Sequence, residues 1–135
     1  MEPQPSAETP ESSLNILVAE DNPVNQRLLC KYLERFGHRV TLANNGVEAV
    51  EMSQAMQPDL VLMDVQMPEM DGHMATRVIR EREQGGGRRL TIVALTAHAS
   101  KTDEQNCFDA GMDAYLSKPI QFDKLHEILA NCCRG

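Results

Sequence analysis

Apolar residues along this chain fall into short runs separated by stretches of helical period, and the alternation repeats five times. "LNILVA" (14–19), "RVTLA" (39–43), "DLVLM" (59–63), "LTIVALT" (90–96) and "DAYL" (113–116) read as strands. Several are apolar at consecutive positions, the pattern of strands covered on both faces. Between the first two runs, Val24, Leu28, Tyr32 and Phe36 recur every fourth residue and mark one face of a first helix. Asn22 is placed to cap it, Pro23 lies in its first turn and Gly37 ends it. A second helix is expected from about Asn45 to Met56, ahead of Pro58, and a third from about Gly72 to Gln84, stopped by three glycines at 85–87. The last helix buries Phe122, Leu125, Ile128, Leu129 and Cys132. The fourth helical segment, 100–111, offers only Cys107, Phe108 and Ala110 as an apolar face, which predicts loose packing. Met63, Met67, Met70 and Met74 also recur at helical spacing, but Pro68 and Gly72 interrupt them. They read as core and loop fillers, with Met67 and Met70 near a partner surface.

Strand and helix alternation of this kind specifies a parallel sheet with helices on both faces, joined by right-handed crossovers. Ligands of such sheets gather outside the carboxyl ends of the strands, where the strand order reverses. The first strand runs into Glu20 and Asp21, the third into Asp64 and the fourth into Thr96, while Ser117, Lys118 and Pro119 follow the fifth. All four polar ends are expected to face one crevice. Three carboxylates there repel one another and are tolerable only if protons or a cation neutralise them. A donor set of oxygens without His or Cys favours Mg²⁺ over zinc.

Composition narrows the setting. A chain of 135 residues, 41% hydrophobic, suits one domain with one core. Residues 1–13, "MEPQPSAETPESS", hold three acids, no Lys or Arg and few large apolar residues, so they read as a disordered tail or interdomain linker before a folded unit at 14–135. The net charge of −7 argues against a nucleic-acid surface. No apolar run reaches the length of a membrane span and no signal-peptide pattern opens the chain, so a cytoplasmic domain without membrane contact is expected. The four cysteines, at 30, 107, 132 and 133, form no CxxC pair and are expected to be reduced thiols. The grouping of His126, Cys132 and Cys133 reads as a helix end rather than a metal site.

Four segments, "LVAEDNPVNQ" (17–26), "LVLMDVQMPEMDG" (60–72), "VALTAHA" (93–99) and "AYLSKPI" (114–120), stand in order at these strand ends. With them the chain, from about Leu14 to Cys133, resembles the receiver (response regulator) domain of two-component phosphorelays, in the style of receivers attached to hybrid histidine kinases. The resemblance implies a flavodoxin-like doubly wound (βα)5 fold with strand order 2-1-3-4-5. It also implies that Asp64 is the phosphoacceptor and that Glu20, Asp21, Asp64 and the backbone carbonyl of Gln66 hold Mg²⁺. Lys118, preceding Pro119 across a cis bond, would contact a phosphoryl oxygen. Thr96 would donate its hydroxyl to the phosphoryl group, with Ala97 leaving room, and Tyr115 would turn inward as the threonine moves. Gln66 and His98 would border the path of the attacking water and set the acyl-phosphate lifetime. Many family members carry two aspartates where this chain has Glu20 and Asp21.

The implied partners are a histidine kinase domain, a histidine phosphotransfer protein, or both, meeting the first helix near Asn25 and Gln26. Output is expected through phosphotransfer or protein contact, from a monomer or a phosphorylation-linked dimer, with self-catalysed phosphotransfer and autodephosphorylation as the domain's own chemistry. A receiver from a hybrid kinase is favoured over a stand-alone response regulator. Two rivals are weaker. A Mg-dependent aspartyl phosphohydrolase would need an acid where Gln66 stands, and an inactive binding module would lack one of Asp64, Asp21, Thr96 or Lys118.

Overall fold

In a computed structural model, which describes residues 13–134 apart from 68, 87, 88, 98 and 99 and the side chains beyond 131, four helices start at short polar side chains that take up otherwise orphaned N–H groups. Asn22 Oδ1 accepts from Val24 and Asn25 N–H at the start of α1 (Pro23–Arg35). Asn45 caps α2 (Gly46–Met56), Asp71 caps α3 (Gly72–Glu83) and Ser100 caps α4 (Lys101–Ala110); α5 spans Phe122–Arg134. The strands are β1 (Asn15–Ala19), β2 (Arg39–Ala43), β3 (Leu60–Asp64), β4 (Thr91–Thr96) and β5 (Ala114–Ser117). They form one parallel sheet in the order β2-β1-β3-β4-β5, the doubly wound arrangement expected. Residues 1–12 of the expected tail lie outside the described residues, while Ser13 donates its hydroxyl to the Gly37 carbonyl at 2.8 Å.

Alternate strand residues divide between two apolar layers. Leu17, Ala19, Val61, Met63, Ile92 and Ala94 meet Ala49 and Val50 of α2, Ala75 and Ile79 of α3 and Cys107 of α4. Ile16, Val18, Leu60, Leu62, Val93 and Leu95 meet Leu29 and Leu33 of α1 and Leu125 and Leu129 of α5. The three central strands β1, β3 and β4 are therefore apolar on both faces along their length, and their ends carry the polar chemistry.

Three packing expectations need correction. The face of α1 that enters the core is Leu29 and Leu33; Val24 and Leu28 stand 61% and 53% exposed, and Tyr32 and Phe36 are half-buried. Tyr32 instead stacks on Phe122 with ring centroids 4.4 Å apart and donates its hydroxyl to the Phe122 carbonyl, tying α1 to α5. On α5, Phe122 and Ile128 are half-buried rather than buried, and the Cys132 side chain lies outside the description. The methionines divide: Met63 is in the core, Met67 and Met70 pack against it partly buried, and Met74 is exposed on α3. On α4, Cys107 and Ala110 are buried and Phe108 is exposed, so that helix meets the core through a narrow footing.

Candidate functional site

β1 delivers Glu20 into the interior of the carboxyl edge, where its N–H donates to the Ala43 carbonyl at 3.1 Å and extends the β1–β2 pairing by one step. The residue is 1% exposed. Its Oε2 accepts from Asn22 N–H at 3.1 Å, whereas its buried Oε1 has no hydrogen bond, although Lys118 Nζ lies 3.2 Å away as an ion-pair partner. Asp64 is the last residue of β3 and is also buried. Its Oδ1 accepts from Gln66 N–H at 3.1 Å and its Oδ2 from Lys118 Nζ at 2.9 Å. Asp21 is exposed at the mouth, and Glu20, Asp21 and Asp64 each present an oxygen within 4.8 Å of the others.

Lys118 reaches this corner because its own N–H donates to the Thr96 carbonyl at 2.8 Å, one step beyond the Thr96–Ser117 pair of the sheet. The Lys118–Pro119 peptide bond is cis. Thr96 is buried at the end of β4, and Ala97 after it is exposed. Tyr115 is half-buried on β5 and meets Phe108 of α4 edge-on, with centroids 6.3 Å apart. Gln66 is exposed. His98 lies outside the described residues.

The electrostatics are unbalanced. Burial above all, then the Asp64 charge, push the Glu20 carboxyl above its ordinary value of 4.5, and the Asn22 N–H and Lys118 pull back only partly. For Lys118 burial opposes the ammonium, yet the hydrogen bond and charge of Asp64, with Glu20, outweigh it and raise the group above its ordinary 10.5. One fixed cation faces three carboxylates. The buried acceptor left without a hydrogen bond, the all-oxygen donor set and the residual negative charge together fit a hard divalent cation.

Two glycines shape this corner: Gly72, read in the sequence as the start of the third helix and a break in the methionine run, and Gly46, which drew no reading there. A Cβ on Gly72 would stand 2.3 Å from the Asp64 carbonyl oxygen, and one on Gly46 would stand 1.9 Å from that of Met70. The backbones of α3 and α2 thus close directly on the β3–α3 connection, which no side chain larger than hydrogen permits. Gln26, expected near the partner-facing part of α1, is half-buried, and its amide donates to the Glu20 carbonyl and to Asn44 Oδ1. Sequence carried no signal for that contact, because it joins α1 to two separate loops.

Comparison with known proteins agrees with the fold. A family profile described as the response regulator receiver domain matches residues 16–130. The sensor histidine kinase RcsC of Salmonella typhi is 42% identical over 115 residues, covering 85% of this chain and 12% of that kinase. The chain spans 7 to 15% of the lengths of such curated relatives. Among solved structures, the receiver domain of the sensor histidine kinase PA1611 from Pseudomonas aeruginosa PAO1, with a magnesium ion coordinated in its active-site cleft, is 43% identical. It has a TM-score of 0.82, covering 91% of this chain and 99% of that one. The receiver domain of Saccharomyces cerevisiae Ssk1, solved with the histidine phosphotransfer protein Ypd1, is 32% identical with a TM-score of 0.84, covering 87% of each chain. Among the described residues, no helix is long and apolar enough to cross a membrane.

Proposed function

This chain belongs to the response regulator receiver domain family, and on that premise we propose that Asp64 accepts a phosphoryl group from a phosphohistidine with the help of a divalent cation, Mg²⁺. The observation that carries this reading is the Lys118 ammonium set between Asp64 and Glu20, 2.9 and 3.2 Å away, at the end of a buried strand. In the transfer, a bond forms from an Asp64 oxygen to phosphorus while the phosphorus–nitrogen bond of the donor breaks and the nitrogen keeps the electron pair. Bound Mg²⁺ supplies charge neutralisation for the phosphoryl oxygens. Asp21, Glu20, Asp64 and the Gln66 carbonyl are the residues proposed to hold it.

The chain's own groups then divide the work. Gln66 N–H and Lys118 Nζ hold the two Asp64 oxygens and fix the carboxylate before a donor arrives. Lys118 afterwards faces a phosphoryl oxygen, and the Thr96 hydroxyl donates to another. Tyr115 follows Thr96, and its contact with Phe108 links that movement to α4, whose footing in the core is narrow. Gln66 and His98 tune the acyl-phosphate lifetime. Gln66 also weighs against a phosphohydrolase, because it offers an amide where that chemistry needs an acid.

Val24 and Leu28, exposed on α1, the helix that follows Glu20 and Asp21 in the chain, suit an apolar helical surface carrying the donor histidine, and the Ssk1–Ypd1 pairing of a neighbour supports that kind of partner. The short span relative to kinase relatives supports a receiver within a hybrid histidine kinase on the cytosolic side, with residues 1–13 as linker. Intact-protein mass after incubation with acetyl phosphate tests the chemistry. A single adduct that requires both Mg²⁺ and Asp64 is expected. An adduct that survives Asp64→Asn, or none with acetyl phosphate or a histidine-bound donor, overturns it. Changing Val24 and Leu28 to serine is expected to slow transfer from a histidine phosphotransfer protein while sparing acetyl phosphate.

A further inference from the structure

The Gln26 amide lies on a directed hydrogen-bond path from the first turn of α2 to the backbone beneath the acidic corner. The direction is set at the far end, since the Glu48 carboxylate can only accept. Asn44 therefore turns its Nδ2 toward Glu48 Oε1, at 3.4 Å, and leaves its Oδ1 for Gln26 Nε2, at 3.0 Å. The same Nε2 donates to the Glu20 carbonyl. Glu48 is itself held, accepting from Asn44 N–H at 2.9 Å and donating its own N–H to Asn45 Oδ1 at 2.8 Å.

Glu20 needs such support. Its side chain is buried beside Asp64 and within 4.8 Å of an Asp21 oxygen, and like charges at that range push the β1–α1 connection outward. The Glu20 N–H is taken by Ala43 and its Oε2 by Asn22 of the same loop. Gln26 ties the remaining backbone group, the carbonyl, to a helix and to the β2–α2 loop. We infer that Gln26 is a positioning residue of the divalent-cation site: its amide clamps the Glu20 carbonyl against Asn44 and presets the spacing of Glu20 and Asp21 to Asp64. The inference rests on the metal reading above and deepens it.

Mn²⁺ is the probe, its affinity measured by water relaxation on the whole chain for native protein, Gln26→Ala, Gln26→Glu, Arg27→Ala and Asp21→Asn. Losing one neutral hydrogen bond that holds the site is expected to raise the Mn²⁺ Kd about three- to tenfold in both Gln26 variants. Arg27→Ala, a neighbouring exposed position, is expected to leave it unchanged. Gln26→Glu keeps the shape but replaces the donor with oxygen. Added negative charge alone would tighten cation binding, so weaker binding in this variant isolates the lost donor. Urea unfolding in EDTA reports folding separately. If native protein binds Mn²⁺ and both Gln26 variants bind within twofold of it, the inference is overturned, whatever happens to the urea midpoint or to transfer from a phosphohistidine partner. If native protein and Asp21→Asn alike bind no Mn²⁺, the metal reading falls and this inference with it.

Discussion

Two clusters of charge lie at opposite ends of the same sheet, and they are built on opposite plans. At the amino ends of β4 and β5, Arg80 and Arg89 face Glu83 and Asp113, two cations against two anions among the described residues. Arg80 bonds Glu83 and Asp113 at 2.8 Å each, Arg89 bonds Asp113 at 2.8 Å, and Arg80 Nε donates to the Gly111 carbonyl at 2.9 Å. The remaining acceptors take backbone N–H groups, Leu90 on Glu83 and Ile92 on Asp113. At the carboxyl ends, three carboxylates cluster, one ammonium pairs with two of them, Glu20 and Asp64, and a buried Glu20 oxygen has no hydrogen bond. The first cluster pairs its described charges and ties α3 to the sheet, whereas the second has negative charge left for a cation to meet.

The sharpest way to separate the two plans is to remove one carboxylate from each. Asp64→Asn is expected to abolish phosphoryl incorporation in the mass assay, while Asp113→Asn, with the same loss of charge, is expected to leave incorporation at the native level. Stability should respond in the reverse sense. Asp113→Ala removes an acceptor from Arg80, Arg89 and Ile92 N–H at once, leaving Arg80 with Glu83 and the Gly111 carbonyl, and a cost of about 2–3 kcal/mol is expected in urea unfolding, as for loss of one partner in a partly buried ionic network.

Cation addition probes the imbalance itself. Mg²⁺ at a hundredfold over its Kd is expected to stabilise native protein by about 2.7 kcal/mol, reversibly with EDTA. Asp21→Asn should lose most of that gain, and a gain equal to that of native protein would show that the acidic corner is not where the ion binds. In EDTA, Glu20→Gln is expected to be at least as stable as native protein, because it removes a buried charge that Asp64 disfavours.

The smallest effect concerns neither cluster and controls for both. His38 Nδ1 accepts from Leu14 N–H at 3.1 Å, which only a neutral imidazole can do. Burial first, and then His126, lower its pKa below the ordinary 6.5. Between the lowered folded value and 6.5 the unfolded chain binds more protons, so this residue's contribution is present above 6.5 and is lost as pH falls through the folded value. Urea midpoints measured downward from pH 7.5 should show that decline in native protein and a shallower one in His38→Gln. An unchanged slope would remove His38 from the account.

Much of this arrangement could be read along the chain. Consecutive apolar positions in "LVLM" announced a strand covered on both faces, and Asn22 with Pro23 announced the start of α1. Because five strands run parallel, their polar ends were bound to share one edge, and Glu20, Asp64, Thr96 and Lys118 are found there. The far ionic cluster escaped notice. Arg80 and Asp113 are separated by 33 residues, and nothing in either neighbourhood distinguishes them from solvated surface charges.

Local periodicity is written in the chain because each residue's preference acts on its own few neighbours; the choice between two acceptable faces is not. Leu28 and Leu29 are both apolar and about 100° apart on one helix, so either row could have entered the core. Packing against β1, β3, β4 and α5 chose Leu29 and Leu33, leaving Leu28 and Val24 exposed. The same holds for Gln26, whose amide acquires its task only when β1 and the β2–α2 loop arrive from other parts of the chain, and for Gly46, whose missing side chain matters only because Met70 closes on it. By itself the sequence determined the elements, their order and the chemistry at the strand ends. Only tertiary structure decided which surfaces meet, because that depends on contacts between distant segments competing for one core.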